Sequence, residues 1–491
     1  MTATRMRALP RAEGRPAPAP AATATATSTA TTDDRPRRGR PPARNEILRS
    51  GRLGGLEPEL LAAEFGTPFY AYDLDVIDRQ VAALRAILPP AFELAYATKA
   101  NPALAIVDHL ARLGLGADVA SGGELEVATR AGLAPASIVF TGPGKRDAEL
   151  AAAVDLGIRA VTVESNGELA RLERLAAISG RVIPVLLRAA VPAAVGRERV
   201  RLVGDDGAGK FGMDENDLER AARAAHRSPH LDLIGLHAFG ASNVVDADVL
   251  GDHVERTVDQ ARRLAQRVGF RLRLVDVGGG LGVPYELDDR ALDLAALGLR
   301  LAVVAARLEA DAGTRGARIL LEPGRFLVGP AGAYVARVVD RKSVAGSHVV
   351  VLDGGIHHVL RPALVGQEHR IRALGGSAGS SSRAFPVTIA GPLCSGLDIL
   401  AAQAVMPVPA VGELVAVLDV GAYGYTESMP FFLSHPVPPE VAISAGRAAL
   451  IRRRIEPAAW LEAQSVPAWR SGQASPAGTG RNGRSPSVEE A

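Results

Sequence analysis

Short apolar runs alternate with longer segments of helical period between about residues 70 and 325. Eight such runs occur, at Phe92–Thr98, Gly116–Ala120, Ile138–Thr141, Ala160–Val163, Val182–Leu187, Leu233–Ala238, Leu272–Val277 and Arg318–Glu322. The segments between them are rich in Ala, Leu and Arg. Eight strand–helix units in roughly 250 residues predict an α/β fold, a (β/α)8 TIM barrel.

Polar or glycine residues follow every one of these runs. They are Lys99, Ser121–Glu124, Gly142–Lys145, Glu164–Ser165, Arg188, Phe239–Gly240, Gly278–Gly280 and Glu322–Arg325. In a barrel enzyme the active site lies at the carboxyl ends of the strands, so we expect all eight sets to meet at one mouth. Turn formation explains any single set, but it does not explain a lysine, two glutamates and two arginines at equivalent positions.

The pattern changes after residue 326 to apolar runs without long helical segments between them. The runs at Tyr334–Val339, Val349–Leu352, Phe385–Ile389, Glu413–Leu418 and Val441–Ile443 predict a C-terminal β-rich domain. We therefore expect an N-terminal segment (49–70) that belongs to the β domain, a barrel (71–325) and the main part of the β domain (326–464).

Both ends of the chain have the composition of disordered segments. Residues 1–48 are mostly Ala, Thr, Pro and Arg, and residues 465–491 are rich in Ser, Gly, Pro and Arg. Such segments bury too little apolar surface to offset the entropy lost on ordering. The run Arg35–Pro42 resembles a basic hook for the minor groove of A·T-rich DNA, but a solvated tail is the preferred interpretation. Nucleic acid is therefore not an expected partner.

Composition narrows the class of protein further. The chain has 491 residues, of which 47% are hydrophobic and 22% charged, and its formal net charge is +2. These values fit a globular protein and give no reason to expect an acidic partner. No apolar stretch has the length of a membrane span or the pattern of a secretory signal. The single cysteine, Cys394, excludes an intrachain disulfide, and we expect a cytoplasmic protein.

Several residues at the predicted barrel mouth suit one cofactor. Lys99, one of four lysines, can form a Schiff base with an aldehyde. The triglycine Gly278–Gly280 offers backbone N–H groups where barrels bind phosphate, and Arg325 adds a cation. Glu322 supplies a carboxylate for a pyridinium nitrogen. The combination indicates pyridoxal 5'-phosphate, and no metal site is predicted.

Five motifs, taken in order, resemble the fold-type III pyridoxal-phosphate decarboxylases, which include the diaminopimelate and ornithine decarboxylases. These motifs are Tyr96–Pro102, Asp276–Gly282, Glu322–Arg325, Gly391–Asp398 and Gly421–Tyr423. The resemblance runs from about residue 60 to residue 450. It implies an alanine racemase-like barrel, a carboxy-lyase of amino-acid metabolism and a homodimer with shared active sites.

The resemblance also implies roles for individual residues. Lys99 holds the cofactor covalently, and the cofactor is bound further by Phe239, Ser242, Gly278, Gly279, Gly280, Glu322, Arg325 and Tyr423. Glu322 at the ring nitrogen favours decarboxylation, since the alanine racemases of the same fold place arginine there. Cys394 matches the family's proton donor to the α-carbon. Together with Asp353 and Asp398, it is contributed to the site by the partner subunit.

Departures from the family's motifs bear on the substrate. Phe239 stands where the family has a histidine that stacks on the cofactor. Ser395 stands where the diaminopimelate and ornithine branches have an acid directly after the cysteine. The pocket is therefore expected to bind a distal ammonium group less well. Arg361 is still expected to hold a distal carboxylate or other anion.

These departures are similar to a branch that includes exosortase-associated decarboxylases and those acting on carrier-bound glutamyl groups. We expect α-decarboxylation of a diamino acid derivative or of an amino acid with an anionic, acylated or carrier-linked far end. One alternative is diaminopimelate decarboxylase itself, which converts meso-diaminopimelate to L-lysine. Another is a non-catalytic regulatory homologue, against which the intact Lys99, Glu322 and Cys394 argue.

Overall fold

Eight parallel strands close into a barrel in the part of the chain that the structure describes. The computed structural model describes residues 47–191, 209–240, 242–285, 289–374 and 383–467. The two tails that the sequence predicts lie outside these ranges except for residues 47–48 and 465–467. Of the basic hook at Arg35–Pro42, nothing is described.

The chain enters the barrel through a strand of the second domain. The N-terminal elements are β1 (Leu48–Arg49), β2 (Arg52–Leu53), helix α1 (Pro58–Phe65) and β3 (Phe69–Asp73). All five residues of β3 are buried, and it pairs with strands from the C-terminal part of the chain. The side chain of Asp73 accepts a hydrogen bond from the backbone N–H of Asp75, which caps the next helix.

The barrel strands follow the predicted order. They are β4 (Phe92–Ala97), β5 (Gly116–Val119), β6 (Ile138–Phe140), β7 (Ala160–Val163), β8 (Ile183–Arg188), β9 (Leu231–His237), β10 (Leu274–Asp276) and β11 (Arg318–Leu321). Each strand pairs in parallel with the next, and β11 pairs with β4 to close the barrel. The predicted (β/α)8 barrel is confirmed.

Helices surround the barrel between these strands. They are α2 (Leu74–Arg85), α3 (Leu104–Arg112), α4 (Gly122–Arg130), α5 (Asp147–Leu156), α6 (Asn166–Ile178), α7 (Glu215–Arg227), α8 (Ala247–Val268), α9 (Leu294–Ala310) and the short α10 (Arg325–Val328). A small apolar cluster that includes Ala95, Val139, Leu186 and Leu320 is formed by alternate barrel-strand residues. Among the described residues, no helix is long and apolar enough to cross a membrane.

The second domain is a mixed β-sheet, as predicted. Its C-terminal elements are β12 (Gly332–Val344), β13 (Ser347–Leu352), α11 (Arg361–Val365), β14 (Ile371–Leu374), β15 (Phe385–Ala390), β16 (Ile399–Met406), β17 (Leu414–Leu418), β18 (Glu440–Ser444), β19 (Arg447–Arg452) and α12 (Pro457–Leu461). The strands lie in the order β16-β15-β13-β12-β3-β18-β19, and β17 pairs with both β12 and β14.

Two hydrogen bonds join the β domain to the mouth of the barrel. The side-chain amide of Asn101 donates to the carbonyl oxygen of Gly421 at 3.0 Å. The backbone N–H of Tyr423 donates to the carbonyl oxygen of Ala100 at 2.8 Å. The loop after β17 is therefore attached directly to the turn that carries Lys99.

Candidate active site

Lys99 lies in a single turn directly after β4 and is anchored by a buried acid. Its Nζ lies 2.9 Å from Oδ2 of Asp118, which is 1% exposed. The other oxygen of Asp118 accepts a hydrogen bond from the hydroxyl of Thr141 at 2.5 Å. Burial lowers the pKa of Lys99, but the charges of Asp118 and Glu322 raise it by more, so the pKa is raised overall. The free amine is therefore held as an ammonium group.

Three buried polar side chains meet at the ends of neighbouring strands beneath this lysine. His237 ends β9, Asp276 ends β10 and Glu322 follows β11. One nitrogen or oxygen atom from each lies within 4.8 Å of the others, and His237 Nε2 is 3.7 Å from Glu322 Oε2. Within the described ranges, Glu322 Oε1, Asp276 Oδ2 and His237 Nδ1 have no hydrogen-bond partner. Buried polar atoms in this state indicate a polar ligand that completes the site.

Burial controls the protonation of two of these groups. Burial raises the pKa of Asp276 well above its usual range, and the neighbouring Glu322 raises it further. Burial, with a smaller effect from Arg188, lowers the pKa of His237 well below its usual range. The imidazole is therefore neutral.

The triglycine turn forms a cup that only glycine can build. Gly278 and Gly280 have φ values of +64° and +94°. A Cβ on Gly278 would lie 2.6 Å from Cδ2 of Phe239, and one on Gly279 would lie 2.2 Å from the carbonyl oxygen of Glu322. The backbone N–H of Gly278 donates to Asp276 at 2.9 Å, which connects the cup to the buried acid.

A pocket brings most of the predicted cofactor residues together. It is lined by Ala97, Lys99, Phe239, Ser242, Asn243, Gly279, Gly280, Leu281, Glu322, Gly324, Arg325 and Tyr423. Arg325 donates to the hydroxyl of Ser242 at 3.4 Å and to that of Tyr285 at 3.2 Å. The orphaned carboxylate of Glu322, the glycine cup and the guanidinium of Arg325 fit a ring nitrogen and a phosphate of pyridoxal phosphate.

A second arginine lies behind the pocket wall. The ring of Tyr423 contacts the guanidinium groups of both Arg325 and Arg361, each 4.7 Å from its centroid. Gln367 Oε1 accepts hydrogen bonds from both arginines, at 3.2 and 3.1 Å. Nε of Arg361 lies 2.8 Å from Oε2 of Glu427. The positive charge of Arg361 is therefore already paired.

Four residues of the site were not predicted from the sequence to have a role there, and these are Asp118, Asp276, Gln367 and Glu427. Asp118 and Asp276 carried a signal, because each is a charged residue inside an otherwise apolar barrel strand. Gln367 and Glu427 lie in loops of the β domain, and only the folded chain brings them to Arg361.

The predicted substrate residues of the β domain are not among the residues that line this pocket. Cys394 is exposed. Asp398 is buried, and its two oxygens accept hydrogen bonds from the backbone N–H groups of Ile356 and Leu393 at 2.8 and 2.7 Å. Its carboxylate thus fixes the loop that carries Cys394.

Asp353 and Ser395 also make hydrogen bonds within the β domain. Asp353 accepts from the hydroxyl of Thr67 at 2.6 Å and from the backbone N–H of Arg337 at 2.8 Å. Burial raises the pKa of Asp353. The hydroxyl of Ser395 accepts from the backbone N–H of Leu397 at 3.2 Å.

Other charged groups at the strand ends form two buried ion pairs. Arg188 Nη1 lies 2.7 Å from Glu164 Oε1, and the pair is almost fully buried. Lys145 is buried against Glu168 at 2.6 Å, and burial lowers the pKa of Lys145. These ion pairs account for the polar ends of β6, β7 and β8 as parts of the barrel wall.

Comparison with known proteins identifies the family. The model of the pyridoxal-binding domain of the pyridoxal-dependent decarboxylases matches residues 74–329, more than half of the chain. The chain belongs to this family. It is therefore a pyridoxal-phosphate-dependent carboxy-lyase, as the five motifs predicted.

Two curated members of the pyridoxal-dependent decarboxylases and one solved structure illustrate the similarity. The L-glutamyl-[BtrI acyl-carrier protein] decarboxylase of Niallia circulans is 34% identical over 82% of this chain and 94% of that protein. The diaminopimelate decarboxylase of Aquifex aeolicus is 32% identical over 82% and 92%. The crystal structure of diaminopimelate decarboxylase from M. jannaschii has a TM-score of 0.78 at 27% identity, over 87% of this chain and 98% of that one.

Proposed function

We propose that this chain removes the α-carboxyl group of an amino acid whose far end is uncharged and acyl-linked, such as a glutamyl group on a carrier. The observation that carries the proposal is the ion pair between Arg361 and Glu427, with 2.8 Å between Nε and Oε2. The activity of the Niallia circulans relative on a carrier-linked glutamyl group supports it. This narrows the expectation from sequence, which included substrates with an anionic far end.

The electrostatics of the pocket explain the preference. Arg361 is 2% exposed, and Glu427 neutralises it. A substrate carboxylate placed here would sit beside Glu427, and buried like charges repel each other strongly. A substrate ammonium group would need a carboxylate of its own, and Ser395 supplies only a hydroxyl. A substrate whose far end is a neutral thioester or amide avoids both the repulsion by Glu427 and the burial of an unpaired ammonium group.

The residues of the barrel mouth have distinct roles around the cofactor. Pyridoxal phosphate, when bound, supplies the electron sink that loss of carbon dioxide from the α-carbon requires. Lys99 would hold it covalently, Glu322 would face the ring nitrogen, and Phe239 would cover one ring face. The glycine cup, Ser242, Arg325 and Tyr423 would bind the phosphate. Because Asp118 anchors the amine of Lys99, the amine stays at the mouth when it is released.

We also propose that the active site is completed by a second copy of the chain. Cys394 is exposed on the β domain, where its thiol is available to a partner's barrel mouth. Large apolar side chains near it and near the loop after β17 are also exposed, and these are Leu397, Met429, Phe431, Phe432 and Leu433. Exposed apolar groups of this kind are typical of an interface. In the homodimer, Cys394 would deliver a proton to the α-carbon after carbon dioxide leaves.

Release of carbon dioxide from a substrate panel tests the proposal. The panel holds the γ-glutamyl thioester of pantetheine, glutamate, meso-diaminopimelate, lysine and ornithine. We expect the thioester to have the highest kcat/KM, and lysine and ornithine to be poor substrates. Faster turnover of meso-diaminopimelate than of the thioester contradicts the proposed substrate class and supports diaminopimelate decarboxylase. Absence of any carbon dioxide release from the loaded protein supports the regulatory alternative.

A further inference from the structure

Asp276 is a buried acid to which the proposed function gives no role. It is 0% exposed, and it lies between the glycine cup and Glu322. Its Oδ1 accepts the hydrogen bond from the backbone N–H of Gly278 at 2.9 Å. Its Oδ2 has no hydrogen-bond partner among the described residues, although a carboxylate oxygen of Glu322 lies within 4.8 Å of the Asp276 carboxyl group.

Among the described residues around Asp276, the cation Lys99 is already paired with a different acid, Asp118. The described titratable groups that face it are Glu322 directly after β11, His237 on β9, Asp118 on β5 and, beyond Asp118, Lys99 in the turn after β4. The ammonium of Lys99 is paired with Asp118 at 2.9 Å. The imidazole of His237 is neutral because burial lowers its pKa. Two neighbouring buried carboxyl groups in such a setting share one proton.

We infer that Asp276 is a neutral carboxylic acid that donates its hydrogen bond to Glu322. Burial and the charge of Glu322 both raise the pKa of Asp276, in agreement with this assignment. Asp276 then accepts from Gly278 with one oxygen and donates to Glu322 with the other. It is a positioning residue, because it aligns the carboxylate that faces the ring nitrogen with the cup that holds the phosphate. This role of Asp276 concerns the cofactor site and does not depend on which amino acid is the substrate.

Asparagine is a close mimic of a protonated aspartate at this position. In Asp276→Asn, the side-chain oxygen still accepts from Gly278, and the amide N–H still donates to Glu322. In Asp276→Ala, both contacts are lost. We expect the dissociation constant of pyridoxal phosphate, measured by fluorescence titration of the apo protein, to stay within about threefold of wild type for Asp276→Asn. We expect it to rise about tenfold or more for Asp276→Ala.

Asp118→Asn is the matched control, since it makes the same change in a buried aspartate that is ion-paired with a lysine. We expect Asp118→Asn to release Lys99 and to shift the pH dependence of covalent cofactor attachment, whereas Asp276→Asn leaves that dependence in place. Equal loss of cofactor affinity in Asp276→Asn and Asp276→Ala would show that Asp276 acts as an anion, and it would overturn the inference. Wild-type affinity in Asp276→Ala would overturn it as well.

Infrared spectroscopy of the apo protein gives an independent test that needs neither substrate nor the alanine variant. A carbonyl band of a protonated carboxylic acid is expected in the wild type at neutral pH and is expected to be missing in Asp276→Asn. Absence of the band from the wild type would overturn the inference. Since all these measurements are made without an amino acid, an error in the proposed substrate leaves them unchanged.

Discussion

The side chain of Lys99 illustrates how much the site depends on its buried neighbours. Its amine lies 2.9 Å from Asp118, and Asp118 is in turn held by Thr141 at 2.5 Å. The acid keeps the free amine charged, and a charged amine is a poor nucleophile. Attachment of the cofactor therefore requires the proton to leave Lys99 as the aldehyde approaches.

Lys99→Ala is expected to abolish both covalent cofactor attachment and decarboxylation. The pocket contains no other described lysine, and the nearest along the chain, Lys145, is buried against Glu168. Mass spectrometry after borohydride reduction measures the attachment. Lys210→Ala is the control. Because Lys210 is exposed, its substitution is expected to leave covalent attachment of the cofactor intact. A full-stoichiometry adduct in Lys99→Ala contradicts the assignment.

Glu427→Gln is expected to change which far ends the pocket accepts. Without the carboxylate, Arg361 loses this ion pair and a substrate carboxylate no longer meets the charge of Glu427, so kcat/KM for substrates with a distal carboxylate rises relative to that for the neutral thioester. The ratio of the two kcat/KM values should move about tenfold if the pairing contributes about 1.4 kcal/mol in the transition state.

The control for this change is Glu368→Gln, because Glu368 is an exposed acid close in sequence to Gln367. It alters the net charge by the same amount without touching Arg361. An equal shift of the substrate ratio in both variants would mean that general electrostatics, and not the ion pair, sets the preference.

Sequence alone predicted the residues whose chemistry is local and missed those that act through tertiary contacts. Lys99, Glu322 and the triglycine each follow a strand, so strand position was enough to bring them to one mouth. Glu427 and Arg361 are separated by 66 positions, and their pairing depends on the path of the loop after β17. This is why Arg361 was expected to be available to a substrate anion.

At the scale of elements, the glycine turn after β10 has little tolerance for change. Gly279→Ala places a Cβ 2.2 Å from the backbone carbonyl oxygen of Glu322, so the β10 and β11 ends must separate. We expect the free energy of unfolding to fall by about 1–3 kcal/mol, and pyridoxal phosphate to bind more weakly. Thermal unfolding and cofactor titration measure the two effects.

Gly144→Ala is the comparison for that variant. Gly144 follows β6 at the same end of the barrel, and a Cβ there has no atom within 4 Å. Its expected effect on either measurement is small. Equal destabilisation by both substitutions would show that the close approach at Gly279 is not the cause.

Two strands of the β domain that the sequence did not predict, β16 and β19, are only partly buried. β16 has two buried residues of eight, and β19 has none of six. The eight barrel strands were found because both of their faces are buried, which produces compact apolar runs. Partly buried strands give a weaker signal, but burial alone is not sufficient, since all five residues of β3 are buried and the sequence did not predict it as a separate strand.

At the scale of the whole molecule, the proposed shared site would make activity a property of the dimer. Lys99→Ala and Cys394→Ala are each expected to be inactive. A mixed dimer of the two holds one site with both native residues, so random mixing should restore about a quarter of wild-type activity. No recovery after demonstrated subunit exchange would place Lys99 and Cys394 of the same chain in one site.

The attachment of the loop after β17 to the turn of Lys99 has a consequence for stability. Because Tyr423 comes from the β domain and Lys99 from the barrel, and both line the same pocket, a cofactor held as proposed would contact both domains. Cofactor binding would then raise the free energy of unfolding of the protein, by about 2.7 kcal/mol when the free cofactor concentration is a hundred times its Kd. The protein loaded with pyridoxal phosphate is therefore expected to unfold at a higher temperature than the apo protein, and the midpoint of thermal unfolding is expected to rise as the cofactor is titrated.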